Sequence, residues 1–508
     1  MKRFTLFLIS VVFTCTQVRA QQDSIPLFVR DSIDAYIQKA MTDWEIPGMS
    51  VCIVRNNKVV LMKGYGVKEL GGNDKVDENT LFMIGSNTKA FTATSLATLD
   101  AENKLSLDDN VTKWIPQFKL DNKAAGEQAI IRDLLCHRIG FRTFQGDFTY
   151  WTSNLTRKEV IEKMHHIKAT YPFRTKWGYT NAAFLTAGEI IPAVTGKQWE
   201  DYVKEKIFTP LGMDRTLALS RDLPNASNKA YPYTTDHGKL VKIPFCLIDN
   251  LAPAGSISSS VNDMSKWVMM QLNMGKFNDK EIVPQKAIQS IRFPNSIMGN
   301  GSTPDNRSCF TLYGLGLELQ DYEGRRIVSH TGGVNGFVSS VTMVPAEKLG
   351  IVILTNTDQN NLYEALKWDI IDAYLKLPAR HYSDLFLGFT KQQRDADQQK
   401  EKKKQDSVAM HLKTELPLAS YAGDYTNDVY GKLKIAVEDN ELRMHFEHHP
   451  NMYTKLSSLG GNRFYAVFTD PEFGTAVFPF NVENGKVKGV RVKVADFVEF
   501  NAYEFVKK

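Results

Sequence analysis

Cysteine is scarce, with five residues in 508. Cys15 lies in an apolar leader, and Cys52, Cys136, Cys246 and Cys309 are widely and irregularly spaced without a C-x-x-C pair. That spacing gives no zinc or redox motif, and buried free thiols are expected, none of them a nucleophile. Beyond residue 20 no uncharged apolar run approaches the roughly 20 residues that a bilayer span needs. Charge of one sign is also missing: 62 basic against 57 acidic side chains leave a net of +5, and residues 1–20, which hold Lys2, Arg3 and Arg19 but no acid, account for all but +2 of it. A near-neutral chain has no electrostatic basis for binding nucleic acid. No repeat of fixed period occurs, and no glycine-rich phosphate loop follows a strand. What remains is ordinary globular composition, 43% hydrophobic and 23% charged, which excludes a disordered or collagen-like chain.

The first residues read as an address. Lys2 and Arg3 precede the apolar Phe4–Thr16, and Val18-Arg19-Ala20 suits a signal-peptidase cut before Gln21. The expectation is a periplasmic or secreted protein. A membrane anchor and a lipoprotein attached at Cys15 are the alternatives, the latter disfavoured by the poor lipobox Val12-Phe13-Thr14.

Periodicity then divides the chain. Residues 26–44 read as an amphipathic helix, and Ser50–Val54 with Val59–Met62 as a hairpin around Asn56-Asn57. A helix is expected over Lys89–Asn103. Strands are expected at Tyr313–Leu319, Arg326–His330, Phe337–Val344 and Gly350–Asn356, then a helix over Asn361–Leu375. This order predicts an α+β fold whose sheet joins both ends of the segment. Lys391–Asp406, KQQRDADQQKEKKKQD, cannot bury a core and reads as a solvated helix or tether. Past residue 415, short alternating segments predict about eight strands and a small barrel. The boundaries are therefore 1–20 signal, 21–380 main domain, 381–414 charged linker and 415–508 barrel.

Three motifs carry chemistry. Ser86-Asn87-Thr88-Lys89 is the only S-x-x-K in the chain. Three residues apart on a helix, the two side chains share a face, and a desolvated lysine can take the proton of a serine hydroxyl. Tyr179-Thr180-Asn181 offers a phenol whose ionisation cationic neighbours would ease, and a carboxamide to hold either a substrate carbonyl or the lysine. The same triplet recurs at Tyr425-Thr426-Asn427, where a structural role is expected. His330-Thr331-Gly332-Gly333 ends a strand, and its glycines permit a close backbone approach, with the amides of Gly333 and Ser86 as an oxyanion hole.

Together, in this order and 93 and 151 residues apart, the motifs resemble the serine β-lactamase and penicillin-binding-protein superfamily, in its class C-like branch of esterases and D-peptidases. Leu134-Leu135-Cys136-His137, Pro253-Ala254-Gly255-Ser256 and Tyr313-Gly314-Leu315-Gly316 add to the resemblance, which covers about residues 27–378. The tail, with Tyr421-Ala422-Gly423-Asp424-Tyr425, is similar to the lipocalin-like barrel often appended to such enzymes. The resemblance implies an antiparallel sheet with flanking helices plus a helical subdomain, then the small barrel. It makes Ser86 the acylated nucleophile, Lys89 and Tyr179 its proton shuttle, and Asn181, His330 and Gly333 the pocket lining. Gln145 falls where related enzymes contact a substrate amide. No metal or other cofactor is required.

His330 stands where many lactamases and transpeptidases have lysine, so a substrate carboxylate should be held less well and antibiotic turnover should be weak. Cys136-His137-Arg138-Ile139 also departs from the usual Thr-His-Thr-Ser, so the pocket floor should differ. The leading expectation is a hydrolase of small esters, amides or D-amino-acid peptides. One alternative is an acyltransferase with a sterol-like or other small alcohol as acceptor. Another is a non-catalytic ligand-binding protein. Oligomerisation is left open. His445, Glu447 and His449 alternate on one strand face in a pattern open to metal binding, but exposed barrel-strand polarity is the favoured reading.

Overall fold

The computed structural model describes residues 25–300 and 307–508. The expected signal at residues 1–20, with Cys15, lies outside them. Strands β1 (Gly48–Arg55) and β2 (Lys58–Gly66) form the expected hairpin. Asn56 and Asn57 turn it at φ 48° and 61°, the left-handed pair that a two-residue turn requires. The remaining strands of the main sheet come late: β3 (Ser296–Asn300), β4 (Phe310–Tyr313), β5 (Glu318–Tyr322), β6 (Arg325–Val334), β7 (Phe337–Val344) and β8 (Leu349–Thr355). All pair antiparallel in the order β2-β1-β8-β7-β6-β5-β4-β3, so the N-terminal hairpin docks beside the last strand.

Side-chain alternation makes this sheet two-faced. Met49, Val51 and Ile53 of β1, with Ile351 and Ile353 of β8, pack against helices α1 (Ile33–Asp43) and α5 (Leu362–Leu375). Cys52, Val352 and Leu354 face the other way, toward α2 (Thr88–Ala101), α3 (Asn181–Gly188) and α4 (Val261–Leu272). Helix α2 is buried on nearly all sides, as suits the centre of the helical subdomain.

The strand expected over Tyr313–Leu319 is instead the end of β4 and the start of β5. Gly314-Leu315-Gly316 turns between them, with the Gly314 N–H donating to the Leu317 carbonyl at 2.8 Å. Of the free cysteines, Cys52, Cys136 and Cys246 are buried, but Cys309, just before β4, is exposed. Among the described residues no helix is long and apolar enough to cross a membrane.

The charged segment folds as one long helix, α6 (Tyr382–Ala409). It is anchored at its start, where Trp44 Nε1 donates to Ser383 Oγ at 2.9 Å. Near its end Glu401 accepts hydrogen bonds from Thr475 (2.8 Å) and Tyr465 of the barrel. The barrel is closed by eight antiparallel strands: β9 (Gly423–Asn427), β10 (Gly431–Glu438), β11 (Glu441–Phe446), β12 (His449–Ser458), β13 (Arg463–Phe468), β14 (Thr475–Glu483), β15 (Lys486–Lys493) and β16 (Ala502–Lys507).

The barrel seats on the helical subdomain by swallowing one side chain. The Phe148 ring sits 4.8 Å from that of Tyr430 and 5.5 Å from that of Tyr503, centre to centre. Phe500 stacks on Phe144 at 5.7 Å. His449 is buried here rather than exposed, its Nε2 2.9 Å from the Trp151 carbonyl and its Nδ1 2.6 Å from the Tyr430 hydroxyl. His445, Glu447 and His449 do not share one strand face, because Glu447-His448 turn the β11–β12 hairpin. Among the described residues no group of three or more His, Cys, Asp or Glu could hold a metal ion.

Candidate active site

Ser86 occupies a single 3-10 turn, Gly85–Asn87, that opens α2. This turn lies against β6 past the point where β5 stops pairing with it: β5 reaches Ser329, and His330–Val334 pair only with β7. The approach needs glycine on both sides. A Cβ on Gly332 would fall 1.9 Å from the Ile84 carbonyl oxygen, and one on Gly85, at φ 51°, would fall 3.0 Å from the Gly333 nitrogen. Asn87 Nδ2 donates to Ser339 Oγ at 2.8 Å, and Ser339 Oγ donates to the Ile84 carbonyl at 2.7 Å, tying the turn to β7.

One helical turn on, Lys89 is fully buried. Its Nζ lies 3.1 Å from Ser86 Oγ and 2.7 Å from both Asn181 Oδ1 and the Ala254 carbonyl oxygen. No carboxylate touches it, and burial holds its pKa well below the ordinary lysine value, with Asp147 opposing. A neutral amine has two N–H bonds. Donated to Asn181 and Ala254, they leave the nitrogen lone pair for the Ser86 hydroxyl.

The Tyr179 ring centre is 4.6 Å from Lys89 Nζ. Its hydroxyl is buried with no completed hydrogen bond. Burial pushes it well above pH 10, the nearby Ser86 hydroxyl working against this. The lowering expected from cationic neighbours is outweighed by this burial. Asn181, the first residue of α3, accepts from Lys89 through Oδ1 and donates through Nδ2 to Asp147 Oδ2 at 2.6 Å. Of its two anticipated roles, it takes the one of holding the lysine.

His330 is buried, its Nε2 3.0 Å from the Tyr313 hydroxyl. Burial, aided by repulsion from Lys89, lowers it to about 3, so the ring is neutral. Gly333, Trp151, Ile248 and Val334 line a small cavity beside Ser86, about 10 Å³ for the centre of a water-sized sphere. That is room for roughly one water. Phe497 of the barrel stands over Gly333.

Gln145 does not join this group. Its Oε1 accepts from the Arg142 N–H (2.9 Å) and Thr170 Oγ1 (3.0 Å), and its Nε2 donates to the Lys168 carbonyl (2.8 Å). Its carboxamide braces its own loop in this arrangement.

Two residues of the site escaped sequence reasoning. Asp147 is fully buried under Asn181, and burial raises its carboxyl to about 7. His137, at φ 58°, lies beneath Tyr179 with ring centres 4.3 Å apart, and its Nδ1 accepts from the Thr180 N–H at 3.0 Å. His137 stood inside a motif of the resemblance, whereas Asp147 carried no signal.

The fold and this cluster define a class, and comparison with known proteins agrees. Residues 33–376 match the Beta-lactamase family, and residues 410–507 match a domain of unknown function, DUF3471. The chain belongs to the beta-lactamase family. An unguisins hydrolase of Aspergillus violaceofuscus is 27% identical over 469 residues, 86% of this chain and 81% of that protein. Among solved structures, the octameric penicillin-binding protein homologue from Pyrococcus abyssi aligns with a TM-score of 0.59 at 22% identity, covering 94% of this chain and 99% of its own. A D-stereospecific amidohydrolase from Streptomyces aligns at 0.54 and 22% identity, covering 67% and 98%.

Proposed function

We propose that this chain is an exported serine hydrolase that opens ester or amide bonds, those of D-amino-acid peptides among them, through an acyl-enzyme on Ser86. The observation that carries the reading is the buried Lys89 amine, 3.1 Å from Ser86 Oγ and with two carbonyl oxygens at 2.7 Å. Lys89 takes the hydroxyl proton as Ser86 Oγ bonds to the substrate's acyl carbon. The negative oxygen that forms accepts hydrogen bonds from the amides of Ser86 and Gly333. As the tetrahedral centre collapses, the bond to the leaving group breaks. Tyr179, a neutral phenol, gives that group a proton and is reprotonated from Lys89. Water then attacks the ester carbon, its proton passes to the same pair, and Ser86 is restored.

The chemistry of the pocket favours neutral acyl groups. His330 holds no charge at neutral pH, and the cavity walls at Ile248, Leu251 and Val334 are apolar. Substrates that need a cation for their carboxylate, β-lactams included, should turn over slowly. Relatives named as a hydrolase and an amidohydrolase support hydrolysis over mere binding. The apolar start of the chain supports export to the periplasm or beyond.

The test is a screen of nitrophenyl esters and D-amino-acid amides with wild type and Ser86→Ala. The expected result is turnover that falls at least ~10⁴-fold in the variant. Equal activity in both removes the mechanism. Product esters that accumulate when alcohols are added move the reading to acyl transfer.

A further inference from the structure

The barrel supplies a buried carboxyl group to the loop that carries Asp147. Glu499 lies in the turn between β15 and β16 and is 1% exposed. Its Oε1 accepts from the Gly146 N–H and its Oε2 from the Phe148 N–H, each at 3.0 Å. The Tyr503 hydroxyl, also of the barrel, donates to Oε2 at 2.8 Å. The two amides flank Asp147, whose Oδ2 accepts from Asn181 and whose Oδ1 is buried without a partner. A continuous set of contacts thus runs from the barrel through the 146–148 backbone, Asp147 and Asn181 to Lys89 and Ser86.

We propose that Glu499 is a positioning residue for catalysis: by bridging the amides on either side of Asp147 it fixes that carboxyl under Asn181, and Asn181 in turn holds Lys89 against Ser86. The proposal rests on the Ser86 reading above and gives the barrel a part in it. The Asp147 carboxyl has one hydrogen bond, to Asn181, and its other oxygen gives the side chain no second anchor. Its place is set by the backbone that carries it. Buried amides require acceptors, so removal of the Glu499 carboxyl group leaves the loop with reason to move. Attachment of the barrel has other supports, namely the Phe148 and Phe500 stacking and the His449 contact. Function and docking are therefore separable.

The test uses the full chain as wild type, Glu499→Gln, Glu499→Ala, Asp147→Asn and the double variant Glu499→Gln/Asp147→Asn. A fluorophosphonate probe is followed by intact mass and by the Ser86 peptide, with the maximal labelling rate and the half-saturating probe concentration measured separately. Thermal melting reports the fold. Glu499→Gln is expected to label roughly 10–100-fold more slowly at saturation, as a misplaced proton acceptor should, with an unchanged half-saturating concentration and a single melting transition. Asp147→Asn should lose a similar factor, and the double variant should be no slower than the slower single variant. Losses that multiply in the double variant, or wild-type labelling by Glu499→Gln, overturn the proposal. Should Glu499→Ala fail to fold, the near-isosteric Gln variant decides. An unlabelled wild type overturns the Ser86 reading and this proposal together, whereas a labelled wild type with an equally fast Glu499→Gln overturns this proposal alone.

Discussion

The triplet Tyr-Thr-Asn occurs twice, and its two settings show what a motif is worth. At 179–181 the phenol ring lies over a buried amine, and the asparagine joins that amine to a buried carboxyl. At 425–427 the Tyr425 hydroxyl donates to the Tyr421 carbonyl at 2.6 Å. There the Asn427 Oδ1 accepts from the N–H groups of Val429 and Tyr430, and its Nδ2 donates to the Glu504 carbonyl. The second triplet closes a turn and pins a strand end. Identical side chains become chemical or structural according to whether Lys89 and Ser86 are beside them.

The largest effect should come from removing what the first setting has and the second lacks. Lys89→Met keeps the apolar bulk of the stem but deletes the amine, and should cost ~10³-fold or more in acylation rate with the fold retained, as read by ester turnover and circular dichroism. Next, Tyr179→Phe should lower turnover ~10²-fold at little cost in stability, since its hydroxyl has no completed hydrogen bond. Tyr425→Phe should do the reverse, leaving turnover within twofold and costing about 1 kcal/mol on a denaturant curve. Similar effects at both tyrosines would break the comparison.

The last effect is read in the pH dependence of stability. Burial raises the Glu499 carboxyl from 4.5 to about 8, its three hydrogen-bond donors and Asp147 modifying this. A folded pKa above the unfolded one gives stability that is full below the unfolded value and lost as pH rises through the folded one. The melting temperature of the wild type, measured relative to Glu499→Gln, should therefore fall as pH rises between 4.5 and about 8. Lys89, with its lowered pKa, acts in the opposite direction but is common to both proteins and cancels. A flat difference across that range would mean that Glu499 titrates normally.

Local patterns were legible where one period or one turn rule governs. The Asn56-Asn57 hairpin, the helix after Ser86 and the barrel's alternation are of this kind. Resemblance placed Ser86, Lys89, Tyr179 and Asn181 in one cleft, where they stand. The glycine pair at 314 and 316 broke a strand that composition alone joined. The turn at Glu447-His448 contains neither glycine nor proline, so the alternation of His445, Glu447 and His449 read as one strand. Asp147 and Glu499 were not legible at all. The amides that Glu499 accepts from are 351 and 353 positions away, and a buried carboxyl among aromatics has no periodic mark. For Gln145 the residue type and loop were legible, but not the hydrogen bonds that its carboxamide makes to Arg142, Thr170 and Lys168.

The central claim is a covalent one, and trapping the intermediate tests it most directly. Wild type quenched in acid during turnover of a slow aryl ester should gain the mass of the acyl group, located on the peptide that contains Ser86, and Ser86→Ala should gain none. Turnover without any adduct under single-turnover conditions, or an adduct on another residue, would contradict the account.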